Sequence, residues 1–134
     1  PEAEILCGHA IRNRADMERA AERIARDTRG AVLIKGGHLD QTADDLLYDG
    51  QCHWFEAPRI ENPNTHGTGC TLSSAIACGL ATGLSLPDSI QQAKDYITVA
   101  LRAGLNLGRG SGPLHHMARF YPLRSDEEEC LSDR

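Results

Sequence analysis

Apolar and polar positions along the chain repeat with helical spacing in two long segments. The first runs from a candidate capping residue, Asn13, to about Arg29, and Gly30 can supply its stop. Its apolar stripe consists of Met17, Ala20, Ala21, Ile24 and Ala25. The second begins at Ser85, with Pro87 at an early position that helices tolerate. Its stripe consists of Ile90, Ala93, Ile97, Ala100, Leu101 and Gly104, with Lys94 beside it. The pattern therefore predicts two amphipathic helices.

Strand patterns lie between these helices. The apolar run at residues 31–34 is typical of a strand buried on both faces in a parallel sheet. It ends at Lys35, and ligands of open α/β sheets bind beyond the carboxyl ends of strands. Residues 44–49 and 51–57 flank Asp49-Gly50, a dipeptide typical of a two-residue hairpin at an antiparallel edge. The order helix, strand, hairpin, helix, helix indicates part of an α/β domain.

A glycine-rich loop running into a further helix contains the candidate chemistry. Gly67 and Gly69 leave no Cβ atom to block a ligand's approach to the backbone. The first N–H groups of a helix lack intrahelical acceptors and lie at the positive end of its dipole. Gly67, Thr68 and Gly69 therefore form a predicted anion site, and Cys70 lies in the same positive field. The apolar face of the helix consists of Leu72, Ala75, Ile76, Gly79 and Leu80.

Cys70 admits three interpretations. It can be a small apolar residue at a helix start, the commonest role of an unpaired cysteine. It can be a nucleophile with His66 as its base, although such pairs usually come from distant segments. It can also accept a proton from a substrate hydroxyl while the adjacent N–H groups hold a transferring phosphoryl group. The anion site favours the third interpretation, because it supplies the charge stabilisation that such a base needs.

Composition narrows the partners and the compartment. The 134 residues carry a net charge of −5 without a basic block, which argues against nucleic acid as a partner. The five cysteines show neither zinc spacing nor a disulfide pattern and favour a reducing cytoplasm. No apolar run is long enough to cross a membrane, and no signal peptide is visible. Residues 125–134 form an acidic tail that we expect to be disordered, which leaves residues 1–124 as the domain.

Several segments together resemble one enzyme family. The longest is Asn-Thr-His-Gly-Thr-Gly-Cys-Thr-Leu-Ser-Ser-Ala-Ile-Ala at residues 64–77. The supporting segments are residues 1–4, 33–38, 45–50 and 93–97. They resemble hydroxymethylpyrimidine/phosphomethylpyrimidine kinases, ribokinase-like enzymes of thiamine biosynthesis, from Pro1 to about His116. The resemblance implies the C-terminal portion of a three-layer α/β/α fold, with a mostly parallel sheet and an antiparallel edge hairpin.

The resemblance also implies roles for individual residues. Gly67, Thr68 and Gly69 would form the anion hole, with Cys70 as the base that takes the substrate's hydroxyl proton. Glu2 would organise Mg²⁺ through water. The residues expected to contact ATP are Lys35, Gly37, Lys94 and Gly110. The substrates implied are 4-amino-5-hydroxymethyl-2-methylpyrimidine and its monophosphate, with ATP as the phosphoryl donor.

The chain departs from this family by lacking the N-terminal half, and it begins at Pro1 rather than Met. We therefore expect a fragment or processed chain that is inactive or poorly folded alone, and whose complete form is a homodimer. One alternative is a pyridoxal or pyridoxine kinase, whose substrate also carries a hydroxymethyl group on a heteroaromatic ring. Another is a non-catalytic fragment or interaction module that retains the loop.

Overall fold

The structure is a computed structural model that describes residues 1–36, 43–57, 59–60, 66–105, 107 and 112–120. The predicted residues Gly37 and Gly110 and the acidic tail lie outside these ranges. The chain divides into two compact units, Pro1–Arg59 and Ile60–Arg134. The helices are α1 (Glu2–Cys7), α2 (Arg14–Thr28), α3 (Thr68–Ala81) and α4 (Leu86–Ala103). The strands are β1 (Val32–Ile34), β2 (Asp45–Tyr48) and β3 (Cys52–Phe55).

Helix α2 confirms the first helical stripe. The Asn13 side chain accepts a hydrogen bond from the Asp16 N–H at 2.9 Å and so caps the first turn. Four stripe residues are buried, namely Met17, Ala20, Ala21 and Ile24. The predicted stop is displaced by one residue, because Arg29 and not Gly30 adopts the left-handed conformation, with φ of 55°. The Arg29 N–H donates to the Ala25 carbonyl, which closes the last turn.

The sheet of the first unit has the order β1-β2-β3, and both pairs are antiparallel. Ile34 and Leu46 are register partners and pack with the stripe of α2 in one buried cluster. Because β2 runs opposite to its neighbours, the carboxyl ends of β1 and β3 lie beside the start of β2, at one end of the strands. This end of the sheet, called the sheet edge that carries Lys35, includes Lys35 directly after β1.

Two details of the predicted strands are wrong. The partner of β1 in the described sheet is antiparallel, and only Ile34 of its three residues is buried. Val32 and Leu33 are only half-buried, so β1 is not enclosed on both faces in the described part of the chain. The hairpin turn has three residues rather than two, since Tyr48 pairs with Cys52. The third residue is accommodated around Gly50, with φ of 110°, and the Gln51 N–H donates to the Asp49 side chain.

Helix α1 has no counterpart in the sequence-based prediction. It has six residues and no side-chain cap at its start, and it ends at Gly8 with φ of 75°. The Glu4 side chain accepts a hydrogen bond from the Ile11 N–H at 2.7 Å. This bond ties the short helix to the segment that leads into α2.

The second unit contains α3 and α4, which pack against each other. Ser85 caps α4 as expected, since its Oγ accepts a hydrogen bond from the Asp88 N–H at 3.2 Å. The helices approach closely at Gly79, where a Cβ atom would lie 2.8 Å from Ser89 Oγ. Glycine is therefore required at residue 79 by packing. Over the part of the chain that the structure describes, no helix is both long and apolar enough to cross a membrane.

Candidate active site

The start of α3 lies one turn earlier in the motif than the periodicity of its apolar face indicated. Gly67 is the N-cap residue, with φ of 83°, and Thr68, Gly69 and Cys70 are the first three helical residues. The Thr71 N–H donates to the Gly67 carbonyl at 2.9 Å, which starts the helical hydrogen-bond ladder. The predicted anion-binding residues and Cys70 therefore share one helical turn.

This first turn is chemically suited to an anion. Gly67 has no side chain with which to cap the N–H groups, and the first turn contains no acidic residue. A Cβ atom built on Gly67 would meet nothing within 4 Å, so the space beside this residue is open. The positive end of the helix dipole is thus not offset by a carboxylate of its own first turn. Backbone N–H groups in such a position bind phosphate oxygens.

Cys70 is exposed and has a free thiol. The exposure disagrees with the interpretation of Cys70 as a packed apolar residue, because that role requires burial. His66 is also exposed, and no hydrogen bond joins it to Cys70, although the structure describes both residues. Cys70 is thus accessible to a ligand, and its role as proton acceptor stays a prediction.

Lys94 lies in α4 and is only 8% exposed. Its position beside the apolar stripe is typical of a solvated lysine, but the structure buries it. Burying an ammonium group costs free energy unless partners compensate, so a buried lysine is more often functional than an exposed one. The role expected for Lys94 towards the nucleotide stays a prediction.

The segment at residues 112–120 packs its two histidines differently. His116 is exposed, and its Nδ1 lies 3.1 Å from the Tyr96 hydroxyl, which donates to the His116 carbonyl at 3.0 Å. His115 is buried, and its N–H contacts the Ala100 carbonyl at 3.4 Å. An adjacent histidine pair in a sequence is typical of a surface or capping position; this fits His116, whereas His115 is buried.

In the first unit, Lys35 is exposed and lies beyond the carboxyl end of β1, as expected. Glu2 is the first residue of α1, with 91% of its side chain exposed. Across the described ranges, no three His, Cys, Asp or Glu side chains are grouped so as to hold a metal ion. The described residues therefore offer no cluster of three side chains for a metal ion, and the water-mediated role of Glu2 towards Mg²⁺ stays a prediction.

The sequence analysis missed a charged cluster at the edge that carries Lys35. The Arg14 guanidinium donates to the buried Asp44 carboxylate and, at 3.0 Å, to Glu56. The hydrogen bond to Asp44, followed by that to Glu56, raises the pKa of Arg14 above its ordinary value. The same guanidinium stacks over the Trp54 ring, 4.6 Å from its centre. No sequence pattern joins these residues, because they come from different elements.

Cys52 on β3 differs from Cys70 in its surroundings. Cys52 is exposed, but desolvation by its neighbours, with smaller contributions from the charges of Glu18 and Glu22, raises the pKa of its thiol. A raised pKa leaves less thiolate near neutral pH, so Cys52 is not a candidate nucleophile or base.

Comparison with known proteins defines the class. The chain resembles solved structures of α/β kinases. Against a Bacillus subtilis pyridoxal kinase in complex with ADP, the TM-score is 0.82 and the identity 37%, over 90% of this chain and 47% of that one. Against a Staphylococcus aureus pyridoxal kinase in complex with AMP-PCP, the TM-score is 0.83 and the identity 32%, over 89% and 45% of the two chains. The structure is therefore part of an α/β kinase fold.

The family follows from sequence similarity. The phosphomethylpyrimidine kinase model matches residues 1–115. The hydroxymethylpyrimidine/phosphomethylpyrimidine kinase of Streptomyces coelicolor is 50% identical over 112 residues, which are 83% of this chain and 42% of that protein. The thiamine biosynthesis bifunctional protein ThiED of Geobacter sulfurreducens is 50% identical over 126 residues, 92% of this chain and 26% of that protein. The chain belongs to the phosphomethylpyrimidine kinase family, whose members are phosphotransferases, and it spans less than half the length of these relatives.

Proposed function

We propose that the complete protein containing this chain transfers the γ-phosphoryl group of ATP to the hydroxyl of 4-amino-5-hydroxymethyl-2-methylpyrimidine. The product monophosphate is then phosphorylated to the diphosphate, for thiamine diphosphate biosynthesis. The observation that carries the proposal is the first turn of α3, where Gly67 leaves the helix start uncapped and Cys70 is accessible. Family membership supports the choice of phosphoryl transfer.

In this proposal the N–H groups of the α3 start hold the transferring phosphoryl group, and Lys35 contacts the ATP phosphates. Cys70 accepts the substrate's hydroxyl proton as the oxygen attacks. Phosphoryl transfer depends mainly on positioning and electrostatic stabilisation, which N–H groups and a lysine supply. Lys94, Gly37 and Gly110 are also proposed to contact the nucleotide.

Mg²⁺ is proposed as the companion of ATP, and it neutralises phosphate charge when bound. Glu2 is its proposed water-mediated contact, since this chain offers no cluster of ligands in the described ranges. A homodimer in the cytoplasm is proposed for the complete protein, on the family resemblance and the absence of a disulfide pattern among the cysteines.

Pyridoxal phosphorylation is the second candidate, because two of the similar structures are pyridoxal kinases. The decisive experiment compares steady-state kinetics of the full-length protein on the hydroxymethylpyrimidine, its monophosphate and pyridoxal. We expect kcat/KM to be highest for the two pyrimidines. A higher kcat/KM for pyridoxal would overturn the proposed substrate, and absence of turnover on all three would favour the non-catalytic alternative.

The role of Cys70 has a separate test in the same assay. Removing a general base lowers the rate by about 10²- to 10⁴-fold, so we expect a loss of this size in Cys70→Ala. Cys70→Asp places another proton acceptor at the same position and should recover part of the activity lost in Cys70→Ala. Unchanged kcat of Cys70→Ala across neutral pH would contradict the role of Cys70 as base.

A further inference from the structure

The sheet edge that carries Lys35 is held together by two neighbouring aspartates. The Gly36 N–H donates to Asp45 Oδ1 at 2.9 Å, in a buried hydrogen bond across the edge. The Ala57 N–H donates to Asp44 Oδ1 at 3.2 Å. Asp45 thus binds the segment that follows β1, and Asp44 binds the segment that follows β3.

The two carboxylates are rigidly placed. Asp44 and Asp45 are 2% and 7% exposed, so neither side chain has the freedom of a surface group. Arg14 donates to the second oxygen of Asp44 and joins it to Glu56. A hydrogen bond between a carboxylate and a backbone N–H is among the stronger hydrogen bonds in proteins, because one partner is charged.

The backbone at Gly36 lies directly against the backbone of Asp44. A Cβ atom on Gly36 would lie 1.9 Å from the Asp44 carbonyl oxygen, so the two chain segments touch backbone to backbone. Gly36 is also directly bonded to Lys35 in sequence. The position of the Lys35 Cα is therefore restricted through the next residue, Gly36. Asp45 holds Gly36 by a hydrogen bond, and Asp44 holds it by backbone contact.

We propose that Asp45 is a positioning residue for phosphate binding: its buried carboxylate holds the Gly36 N–H and thereby places Lys35 against the ATP phosphates. The inference rests on the proposed role of Lys35. Asp45 itself contacts neither ATP nor the pyrimidine in this scheme. Its removal should therefore weaken ATP binding without changing the binding of the phosphoryl acceptor.

The experiment is a double-mutant cycle between Asp45 and Lys35 in the full-length protein. We expect Asp45→Ala to raise the KM for ATP about tenfold, which corresponds to about 1.4 kcal/mol. The KM for the hydroxymethylpyrimidine should stay within about twofold, and in the Lys35→Ala background Asp45→Ala should cause no further rise. Asp45→Asn keeps an oxygen that can accept from Gly36 and should restore near wild-type KM values.

Matched variants keep the outcome decisive. Asp49→Ala removes an exposed carboxylate at the hairpin turn, at the opposite end of β2, and should leave the KM for ATP unchanged. If Asp45→Ala fails to fold, Asp45→Glu displaces the carboxylate while keeping its charge, and the same rise in KM is expected. Additive effects of the Asp45 and Lys35 changes would overturn the positioning role.

The same variants distinguish failure of the proposed role of Lys35 from failure of the inference about Asp45. If Lys35→Ala alone leaves the KM for ATP unchanged, Lys35 does not contact the phosphates, and the positioning role fails with it. If Lys35→Ala raises this KM but Asp45→Ala does not, the function of Lys35 stands and only the inference about Asp45 is overturned.

Discussion

Helices α2 and α3 have similar lengths, 15 and 14 residues, but opposite first turns. In α2 the Asn13 side chain accepts a backbone N–H, and Asp16 places a carboxylate in the first turn. In α3 the N-cap is Gly67, and the first turn contains neither a side-chain cap nor an acidic residue. The start of α2 thus has a side-chain acceptor for its N–H groups, and the start of α3 has none. An anion-binding helix start differs from a structural one in this way.

Helix α4 follows the pattern of α2. Ser85 accepts the Asp88 N–H, and the Asp88 carboxylate lies 2.5 Å from the Ser85 hydroxyl. Capped starts therefore occur in both units. The start of α1 also lacks a side-chain cap, but its first turn contains Glu2 and Glu4, whereas the first turn of α3 contains no acidic residue. Changes at these helix starts should separate activity from stability.

The largest effect is expected when the start of α3 is converted to a capped start. Gly67→Asp places a carboxylate where the proposed phosphoryl group binds, and we expect kcat of the full-length protein to fall about 10²- to 10³-fold. Gly67→Ala tests the backbone cost alone, because alanine adds a Cβ atom at this positive φ but brings neither a capping oxygen nor a charge. A wild-type kcat in Gly67→Asp, measured with circular dichroism to verify folding, would remove the proposed anion site.

The next effect concerns stability within the second unit. Gly79→Ala would force a Cβ atom to 2.8 Å from Ser89 Oγ and 3.2 Å from Ser89 Cα. We expect a loss of about 1–3 kcal/mol in the free energy of unfolding, despite the higher helix propensity of alanine. The measurement is urea unfolding, with Cys78→Ala at the exposed neighbouring residue as control. Stabilisation by Gly79→Ala would show that α3 and α4 do not pack closely in solution.

A smaller loss is expected at the capped start of α2. Asn13→Ala removes the acceptor of the Asp16 N–H and should lower the free energy of unfolding by about 1 kcal/mol. Because Asn13 lies outside the proposed chemistry, kcat and both KM values should remain unchanged. Asn13→Asp retains a capping oxygen and should unfold at nearly the wild-type urea concentration; a loss of activity in either variant would contradict the structural role of this start.

The smallest effect lies at the end of α2. Arg29 has φ of 55°, whereas a Cβ atom on Gly30 would have only one neighbour, at 4.0 Å. Arg29→Gly should raise the free energy of unfolding by about 0.5 kcal/mol, because relief of left-handed strain exceeds the entropy cost of glycine. Gly30→Ala should be tolerated in the same urea experiment. If Arg29→Gly lowered the free energy of unfolding and Gly30→Ala lowered it further, the residue that ends the helix would be Gly30 rather than Arg29.

The sequence predicted best what depends on local interactions. Asn13 and Ser85 marked helix starts because capping is decided within one turn, and the apolar stripes marked the buried faces. Helix α1 was missed because its six residues are too few to show a period and its start has no side-chain cap. The left-handed residue at Arg29 was missed because glycine is the usual residue there, and Gly30 is its neighbour.

The site was predictable where a continuous motif carries it. Gly67 to Cys70 are adjacent in sequence, so the motif predicted that they lie together at a helix start before any tertiary contact was known. The burial of Lys94 and the cluster around Asp44, Asp45 and Arg14 depend on segments that meet only after folding. Neighbouring aspartates in a sequence usually indicate a solvated surface, which is why their role at the sheet edge could not be inferred.

The neighbouring aspartates have a consequence for how the chain avoids misfolding. Their carboxylates bind backbone on opposite sides of β2, so a slip of this strand by one residue would exchange their orientations. A misaligned hairpin would then bury carboxylates without these N–H donors, which is costly. Only one alignment of β2 gives both carboxylates their N–H donors, and the same alignment holds Gly36, the residue after Lys35. Protection against strand slippage and placement of a phosphate-binding lysine thus depend on the same two side chains.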